Sequence, residues 1–408
     1  MEISGLMYLS LCACFMLRNR LLLLTVFVCS ANFFAASFIN IGGKGIPLYL
    51  VGEVLLIIVL LSKFRGRLSI ISKSEIFLFL FIVWSTLVLA LSPSVFSNLQ
   101  VSIDPDDMAR NGGRPNPSII SFAQIGYLII HFICLSLIIK CRKNGLWQYY
   151  NFEFKNIIIT LSWITCIFGF ISYGLRLIGA SKILIPIFYN NPGYAQLIDA
   201  ALRFQAGFPE ASFCGAFLGA AFWVAIYHKR ILLSALLIAA MILSVSGSAL
   251  ISFFAGFCLY FFYYGRKKLI ITLVILFLII FCLYLSGVLD YIMTFISDKG
   301  NSHSGDVRYS QAVLALDIFY NTYGLGIGVG ITRGGGGFLN LLATTGVVGT
   351  LLFISFVTNI LKKESFDKVI YIISLLSAMI FTIPDVSYPV LWGGLFVIAA
   401  TASAKTNK

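Results

Sequence analysis

A dense group of polar residues lies between two apolar stretches, with the sequence Asn-Ser-His-Ser-Gly-Asp-Val-Arg-Tyr at 301–309. His303, close to Asp306, can accept a proton or carry a charge beside an anion, because imidazole titrates near neutral pH. Arg308 adds a planar guanidinium, which binds phosphate oxygens in pairs. The alternatives are a solvated loop histidine and, for Asp306, a carboxylate that caps a helix over 311–320. These residue types indicate acid–base or phosphate chemistry.

Two further arginines, Arg203 and Arg333, are candidates for phosphate binding beside Arg308. Arg203 precedes by seven residues Glu210, where an apolar stretch begins and where Glu210 could cap the helix. Arg333 lies between glycines 324, 326, 328 and 330 and the run Gly334 to Gly337. No strand precedes these glycines, so they do not fit a dinucleotide fingerprint. They predict close approach of backbone to a substrate or a mobile lid, with a flexible re-entry into a membrane as the alternative.

Glu53 lies within an apolar run. A carboxylate inside a membrane-spanning segment is a candidate functional group with a proton or cation partner, and an arginine reaching down from outside is one such partner. A purely structural role is the other interpretation. A secondary transporter would need several charges of this kind, and Glu53 is nearly alone.

The elements that position these residues follow from the composition. The 408 residues are 59% hydrophobic and 11% charged, against about 25% charged in soluble domains, which excludes a soluble globule. Runs of membrane-spanning length predict an all-α polytopic membrane protein that forms a single domain over 1–408, with 12 or 13 transmembrane helices. The predicted spans are 21–38, 46–62, 75–92, 119–139, 156–179, 210–227, 231–247, 249–264, 269–289, 337–360, 368–384 and 387–403, with 3–17 as the thirteenth.

The distribution of the net charge of +13 indicates how the chain is oriented in the membrane. Alternate links hold 20 of the 29 Lys and Arg residues and only four of the 16 acidic residues. Because short cytoplasmic loops collect basic residues, these links are predicted to be inside, and the basic excess does not call for nucleic acid. The outer links are then 93–118, 180–209 and 290–336, and the last two are the main loops that carry the candidate site.

The outer loops lie across the membrane from ATP and nucleotide sugars. Group transfer there therefore needs an activated donor that the bilayer delivers, such as a lipid-linked phosphate or pyrophosphate. The outer basic residues comprise six arginines and three lysines, which suits such an anion. His303 is the one outer histidine and the carboxylates are scattered, so no metal site is predicted. The nine cysteines lie in apolar runs or, for Cys141, in an inner link, and are interpreted as apolar filler.

Three stretches carry a family resemblance. The first is Arg-Phe-Gln-Ala-Gly-Phe-Pro-Glu-Ala-Ser at 203–212, and the second is Leu-Ser-Val-Ser-Gly-Ser-Ala-Leu at 243–250. The third joins Asp-Val-Arg at 306–308 to Gly-Leu-Gly-Ile-Gly at 324–328, then to Asn340 and Thr-Gly-Val-Val-Gly at 345–349. In this order they resemble the O-antigen polymerase and O-antigen ligase superfamily of bacterial polysaccharide assembly. One departure is Gly247-Ser248, where the family has an aromatic or basic residue.

The resemblance implies a glycosyltransferase of GT-C-like architecture in the bacterial inner membrane, with a periplasmic active site and with neither cofactor nor metal. Its donor and acceptor would be undecaprenyl pyrophosphate-linked oligosaccharides, with membrane lipids around it and a chain-length regulator protein as a further candidate partner. Arg203, Arg308 and Arg333 would hold the pyrophosphate. Glu210, followed by His303 and Asp306, would be the candidate bases.

The acceptor distinguishes the remaining alternatives. A polymerase transfers the glycan to another lipid-linked repeat unit, and the aromatic-rich, idiosyncratic sequence outside the motifs favours this activity. A ligase transfers it to the lipid A core. A lipid-linked oligosaccharide flippase belongs to another class, and it predicts functional charges at the membrane midplane. A structural membrane scaffold has no feature in its favour.

Overall fold

The computed structural model describes residues 2–18, 23–63, 71–99, 101, 115–144, 153–192, 202–264, 303–332 and 335–401. This part of the chain is mainly helical. Its helices are α1 Ile3–Arg18, α2 Leu23–Ala31, α3 Leu48–Lys63, α4 Lys73–Val95, α5 Ile119–Lys143, α6 Phe154–Leu177, α7 Ile185–Phe188, α8 Ala211–Tyr227, α9 Ile231–Ser244, α10 Gly247–Tyr264, α11 His303–Asn321, α12 Gly337–Leu361, α13 Phe366–Thr382 and α14 Pro389–Thr401, with a short 3-10 turn at Ser181–Ile183. The predicted span 269–289 lies outside the described residues.

Five of these helices, α4, α5, α6, α10 and α12, are long and apolar enough to cross a membrane. Helix α4 shows why they belong in lipid: Phe79, Val83, Leu87 and Leu91 recur every four residues and are 51%, 38%, 50% and 58% exposed. Residues four apart lie on one face of a helix, and an apolar face of this length is unfavourable in water. The chain is therefore membrane-embedded and polytopic.

The first predicted full span, 21–38, is wrong. Helix α2 ends at Ala31, and the chain then turns into an antiparallel hairpin of β1, Ser37–Ile41, and β2, Lys44–Pro47. The two residues between the strands are Gly42 and Gly43, with φ of 58° and 77°. Two-residue hairpin loops favour glycine because both central residues have positive φ. The described part is thus not purely α-helical.

The helix ends that carry basic residues lie together. Arg142, in the last turn of α5, donates from Nη1 to the carbonyl of Ala399 on α14 at 2.9 Å. His228, after α8, lies with Nε2 3.1 Å from Oδ2 of Asp367 on α13. We call this end the basic end. The opposite end, which carries the links between α6 and α8 and between α11 and α12, is the loop end.

A break in α12 accommodates the glycine run. Gly346 has φ 67° and ψ −169°, which are not helical, and the amide of Gly328 donates to the freed carbonyl of Thr344 at 2.8 Å. A Cβ on Gly328 would lie 2.6 Å from Cα of Leu89 in α4. The close approach predicted for these glycines is thus to the chain's own backbone. The glycine segment packs between α4 and α12.

Candidate functional site at the loop end

A cavity of about 350 Å³ lies at the loop end, bounded by the hairpin, the first turns of α5 and α8, and the link between α13 and α14. Its wall includes the aromatic rings of Phe34, Tyr49, Phe213 and Tyr388. Its polar lining comes from Lys44, Gln124, Tyr127, Asn191, Asp385 and Ser387. Apolar walls with a few convergent polar groups are typical of small-molecule sites. We call it the loop-end cavity.

Hydrogen bonds from two helices fix the link that carries Asp385. Asn340 on α12 donates from Nδ2 to the carbonyl of Pro384 at 2.8 Å. Ser387 donates from its hydroxyl to Oε1 of Gln124 on α5 at 2.9 Å. Asp385 stands between these two anchors and is half-buried. The segment that carries Asp385 is therefore held at the cavity wall from both sides.

The hairpin forms the opposite wall, because it is fastened to residues 190–191. The amide of Ser37 donates to Oδ1 of Asn190 at 2.9 Å, and Nδ2 of Asn40 donates to the carbonyl of Asn190 at 2.9 Å. A Cβ on Gly45 would lie 2.6 Å from Oδ1 of Asn191. Lys44, the first residue of β2, is exposed. The fastening places Lys44 at the edge of the cavity.

Tyr189, next to Asn190, fastens the segment that precedes α8. Tyr189 donates from its hydroxyl to the carbonyl of Ala206 and contacts the hydroxyl of Ser172 at 3.2 Å. Burial raises the pKa of Tyr189 to about 12 from its ordinary value of 10.0. The phenol therefore remains protonated at neutral pH and can keep donating to Ala206.

An apolar groove of about 280 Å³ runs between α12 and α13. It extends from Thr358 and Leu361, towards the basic end, to Gly337 and Asp385 at the loop end. Leucine, isoleucine, valine, phenylalanine and methionine side chains make up most of its lining. Asp385 also lines the loop-end cavity, so the cavity and the groove share it as a lining residue.

Glu53 has a histidine partner. His131 Nδ1 on α5 lies 2.8 and 2.9 Å from the two carboxylate oxygens of Glu53 on α3, and both side chains are fully buried. The imidazole stacks on Trp392 of α14, with 4.5 Å between ring centroids. Sequence reasoning considered an arginine as the partner.

Arg203 and Glu210 lie at the loop end. The half-buried Arg203 accepts at its carbonyl a hydrogen bond from Nη1 of Arg176 at 2.9 Å. Glu210 precedes α8 as its N-cap residue without a side-chain capping bond, and its Oε2 accepts from the hydroxyl of Ser212 at 3.0 Å. Phe213 lines the loop-end cavity, which puts Glu210 within one helical turn of the cavity wall.

The first two motif segments contact each other and α13. The amide of Phe204 donates to the carbonyl of Leu243 at 3.0 Å. Ser248, at the start of α10, donates from its hydroxyl to that of Thr382 at 2.8 Å. The last turn of α13, just before the link with Asp385, therefore contacts the second motif directly.

The third motif segment reaches the same turn. A Cβ on Gly335 would lie 2.5 Å from the carbonyl oxygen of Arg308, and one on Gly336 would lie 2.6 Å from that of Ile380. Arg308 is half-buried, and Asp306 is exposed in the first turn of α11. An acidic residue there suits the helix dipole. The helix begins at His303 instead of Gln311, so Asp306 lies within it and is not its cap. The first motif segment thus contacts the second, and the second and third segments both reach the last turn of α13.

The predicted residues do not form one cluster in the described part of the chain. Arg203 and Glu210 pack beside α6, α8 and α9, whereas Asp306 and Arg308 lie on α11 beside α12. The side chain of His303 and the whole of Arg333 lie outside the described residues.

Sequence reasoning missed Asp385 and Lys44. For Asp385, the signal was an Ile-Pro-Asp sequence that interrupts the apolar stretch 368–403. Proline ends a helix and leaves the following residue in a link. For Lys44, the signal was its position directly after two hairpin glycines. Within the described ranges, His, Cys, Asp and Glu side chains form no group of three that could hold a metal ion.

Comparisons with models of protein families, with curated proteins and with solved structures gave no match for this chain.

Proposed function

We propose that this chain is an O-antigen polymerase of the O-antigen polymerase and ligase superfamily. In this proposal it has 12 or 13 transmembrane helices and GT-C-like architecture, and it lies in the bacterial inner membrane with the loop end in the periplasm. It transfers a glycan from undecaprenyl pyrophosphate to the terminal sugar of another lipid-linked repeat unit.

The loop-end cavity and the groove between α12 and α13, which share Asp385 as a lining residue, carry the proposal. A lipid-linked glycan has an apolar tail and a polar, anionic head, joined at one point. The groove offers apolar lining to the tail, and the cavity offers aromatic, hydroxyl, amide and charged groups to the head. Asp385 lines both and marks the point where the pyrophosphate would lie.

The reaction assigns a role to each charged group. The acceptor hydroxyl loses its proton and bonds to the anomeric carbon, while the bond from that carbon to the pyrophosphate oxygen breaks and its electron pair leaves with the lipid pyrophosphate. Arg203, Arg308 and Arg333 are the arginines that the resemblance assigns to the charge that grows on the leaving group. Lys44 is the cation that lines the loop-end cavity itself. Asp385 joins Glu210, His303 and Asp306 as a candidate acceptor of the proton.

Alanine variants of Arg203 and Arg308 test the proposal in cells. Each should abolish long polymer, because a cation that stabilises a leaving pyrophosphate is needed in the transition state. Arg230→Ala, which removes an exposed arginine at the basic end, is the matched control and should leave polymer length unchanged. Full-length polymer made by both folded, inserted variants would contradict this site.

The acceptor is tested by a deletion strain. Loss of a polymerase should leave the lipid A core capped with one repeat unit. Bare core would instead identify a ligase.

The buried Glu53–His131 pair favours a second candidate function, a lipid-linked oligosaccharide flippase. Intramembrane carboxylate–imidazole pairs are found in proton relays of transporters. A flippase would move the lipid-linked substrate across vesicles without lengthening it, so analysis of the products separates the two functions.

A further inference from the structure

The Glu53–His131 pair has one polar atom without a partner. His131 Nδ1 contacts both oxygens of Glu53, whereas Nε2, buried in the described structure, has no hydrogen-bond partner. A buried polar atom of this kind is costly, and in native proteins it calls for an explanation. The stacked Trp392 fixes the plane of the imidazole and offers Nε2 no acceptor.

The pair lies one helical turn beneath the loop-end cavity. Tyr49 and Tyr127 line that cavity, and Glu53 and His131 follow them by four residues on α3 and α5. Residues four apart share a helix face and are about 5–6 Å apart. Tyr388, which also lines the cavity, precedes Trp392 by the same interval.

The direction of the three helices aims these side chains at the cavity. Helices α3, α5 and α14 all begin at the loop end and run towards the basic end. Side chains on a helix tilt towards its N-terminus. Glu53, His131 and Trp392 therefore all lean towards the cavity.

Apart from Lys44 and Asp385, which line the loop-end cavity above the pair, the other titratable groups around it are weak acids. Within the described chain, the elements packed on α3 and α5 present tyrosines and cysteines there. Helix α14 contributes no titratable side chain, and Lys73 and Glu75 of α4 lie at the basic end. The neighbouring weak acids are Tyr8, Cys12, Cys29, Tyr49, Tyr127 and Cys134.

We propose that the Glu53–His131 pair is a proton site that takes up a proton when an anionic, phosphate-bearing headgroup occupies the loop-end cavity. Nδ1–H donates to Glu53, and Nε2 holds the lone pair that receives the proton. An anion above the pair attracts positive charge through a medium of low dielectric constant. No covalent bond changes, and the proton comes from water. The inference rests on the headgroup site of the proposed function.

The test is proton-linked binding to the full-length protein in nanodiscs. Calorimetric titrations with undecaprenyl pyrophosphate, in two buffers of different ionisation enthalpy, give the number of protons taken up per bound ligand. The wild type should take up a fraction of a proton beyond the double variant Glu53→Gln/His131→Gln. Both partners are replaced together because a single replacement leaves an unpaired buried group.

The pair His228–Asp367 supplies the matched control, since it is chemically similar but lies at the basic end. Its double variant, His228→Gln/Asp367→Asn, should take up protons as the wild type does. Unchanged uptake in folded Glu53→Gln/His131→Gln would overturn the inference. A wild type that does not bind the lipid would overturn the headgroup site itself, so the two failures are distinguishable.

A measurement on the wild type covers the case in which the double variant does not fold. The chain has three histidines, so ¹⁵N-histidine labelling gives a spectrum that His131→Gln can assign. The ¹⁵N shift of His131 Nε2 should move towards that of a protonated nitrogen when the lipid is added. A shift that does not move, in protein that binds the lipid, would overturn the inference.

Discussion

Replacing Gly346 with alanine should destabilise the break in α12. Its φ of 67° and ψ of −169° fall in a region that only glycine adopts readily, and strain there costs about 1–3 kcal/mol. A Cβ would lie 2.2 Å from the carbonyl oxygen of Gly324 and 2.5 Å from the carbonyl carbon of Leu325. These are backbone atoms of the glycine segment, so overpacking adds about 1–3 kcal/mol. The expected loss in the free energy of unfolding is about 2–6 kcal/mol.

Equilibrium unfolding by SDS in mixed micelles, followed by circular dichroism, measures this loss. Gly126→Ala is the matched control, because Gly126 lies inside α5 and a Cβ there meets no atom within 4 Å. That substitution should stabilise the protein by about 0.5–1 kcal/mol, since alanine loses less backbone entropy in a helix. If Gly346→Ala unfolded at the wild-type SDS concentration, the backbone described for the break would be wrong.

Four further predictions concern the loop end and the pair beneath it. Lys44→Ala should weaken binding of undecaprenyl pyrophosphate about tenfold, as expected for loss of one charge-assisted hydrogen bond, and Lys44→Arg should restore it; equal affinities would contradict the role of Lys44. Asp385→Asn, measured as the rate of glycan transfer, should lower kcat by about 10²–10⁴-fold with unchanged unfolding if it is the base, and an unaltered kcat would remove it from the candidates. Glu53→Gln alone should cost about 3–5 kcal/mol of unfolding free energy, more than the double variant with His131→Gln, because it leaves one buried partner unpaired; a smaller loss in the single variant would argue against the pair. The pKa of Tyr189 is raised from 10.0 to about 12, so stability present below pH 10 should be lost as the pH rises to 12, and Tyr189→Phe should lack this loss.

The membrane-spanning helices could be predicted closely. The expected spans 119–139 and 337–360 correspond to α5, Ile119–Lys143, and α12, Gly337–Leu361. Long apolar runs that end at basic residues leave few alternatives in a bilayer. The prediction failed at 21–38 because an apolar run does not distinguish a helix from a turn and a β-strand. Gly42 and Gly43 were the local signal for that hairpin.

The site was predictable only in part. The motif stretches lie at the loop end, where Phe204 contacts Leu243 and Ser248 contacts Thr382, but the candidate residues within them do not form one cluster. The partner of Glu53 was not predictable, because His131 is 78 residues away and only the packing of α3 on α5 brings the two together. Asp385 gains its position from Asn340 and from the link around it, and no spacing along the sequence encodes that contact.

The most direct test of the proposed function is an incubation of the purified protein with a defined polyprenyl pyrophosphate-linked repeat unit. Products are separated by gel electrophoresis, in the presence and absence of chelator. The proposal predicts a ladder of glycans that differ by one repeat, equally strong with chelator, and loss of the ladder in Arg203→Ala and Arg308→Ala. Substrate that remains a single repeat with folded protein would contradict the proposal that this chain joins lipid-linked glycans.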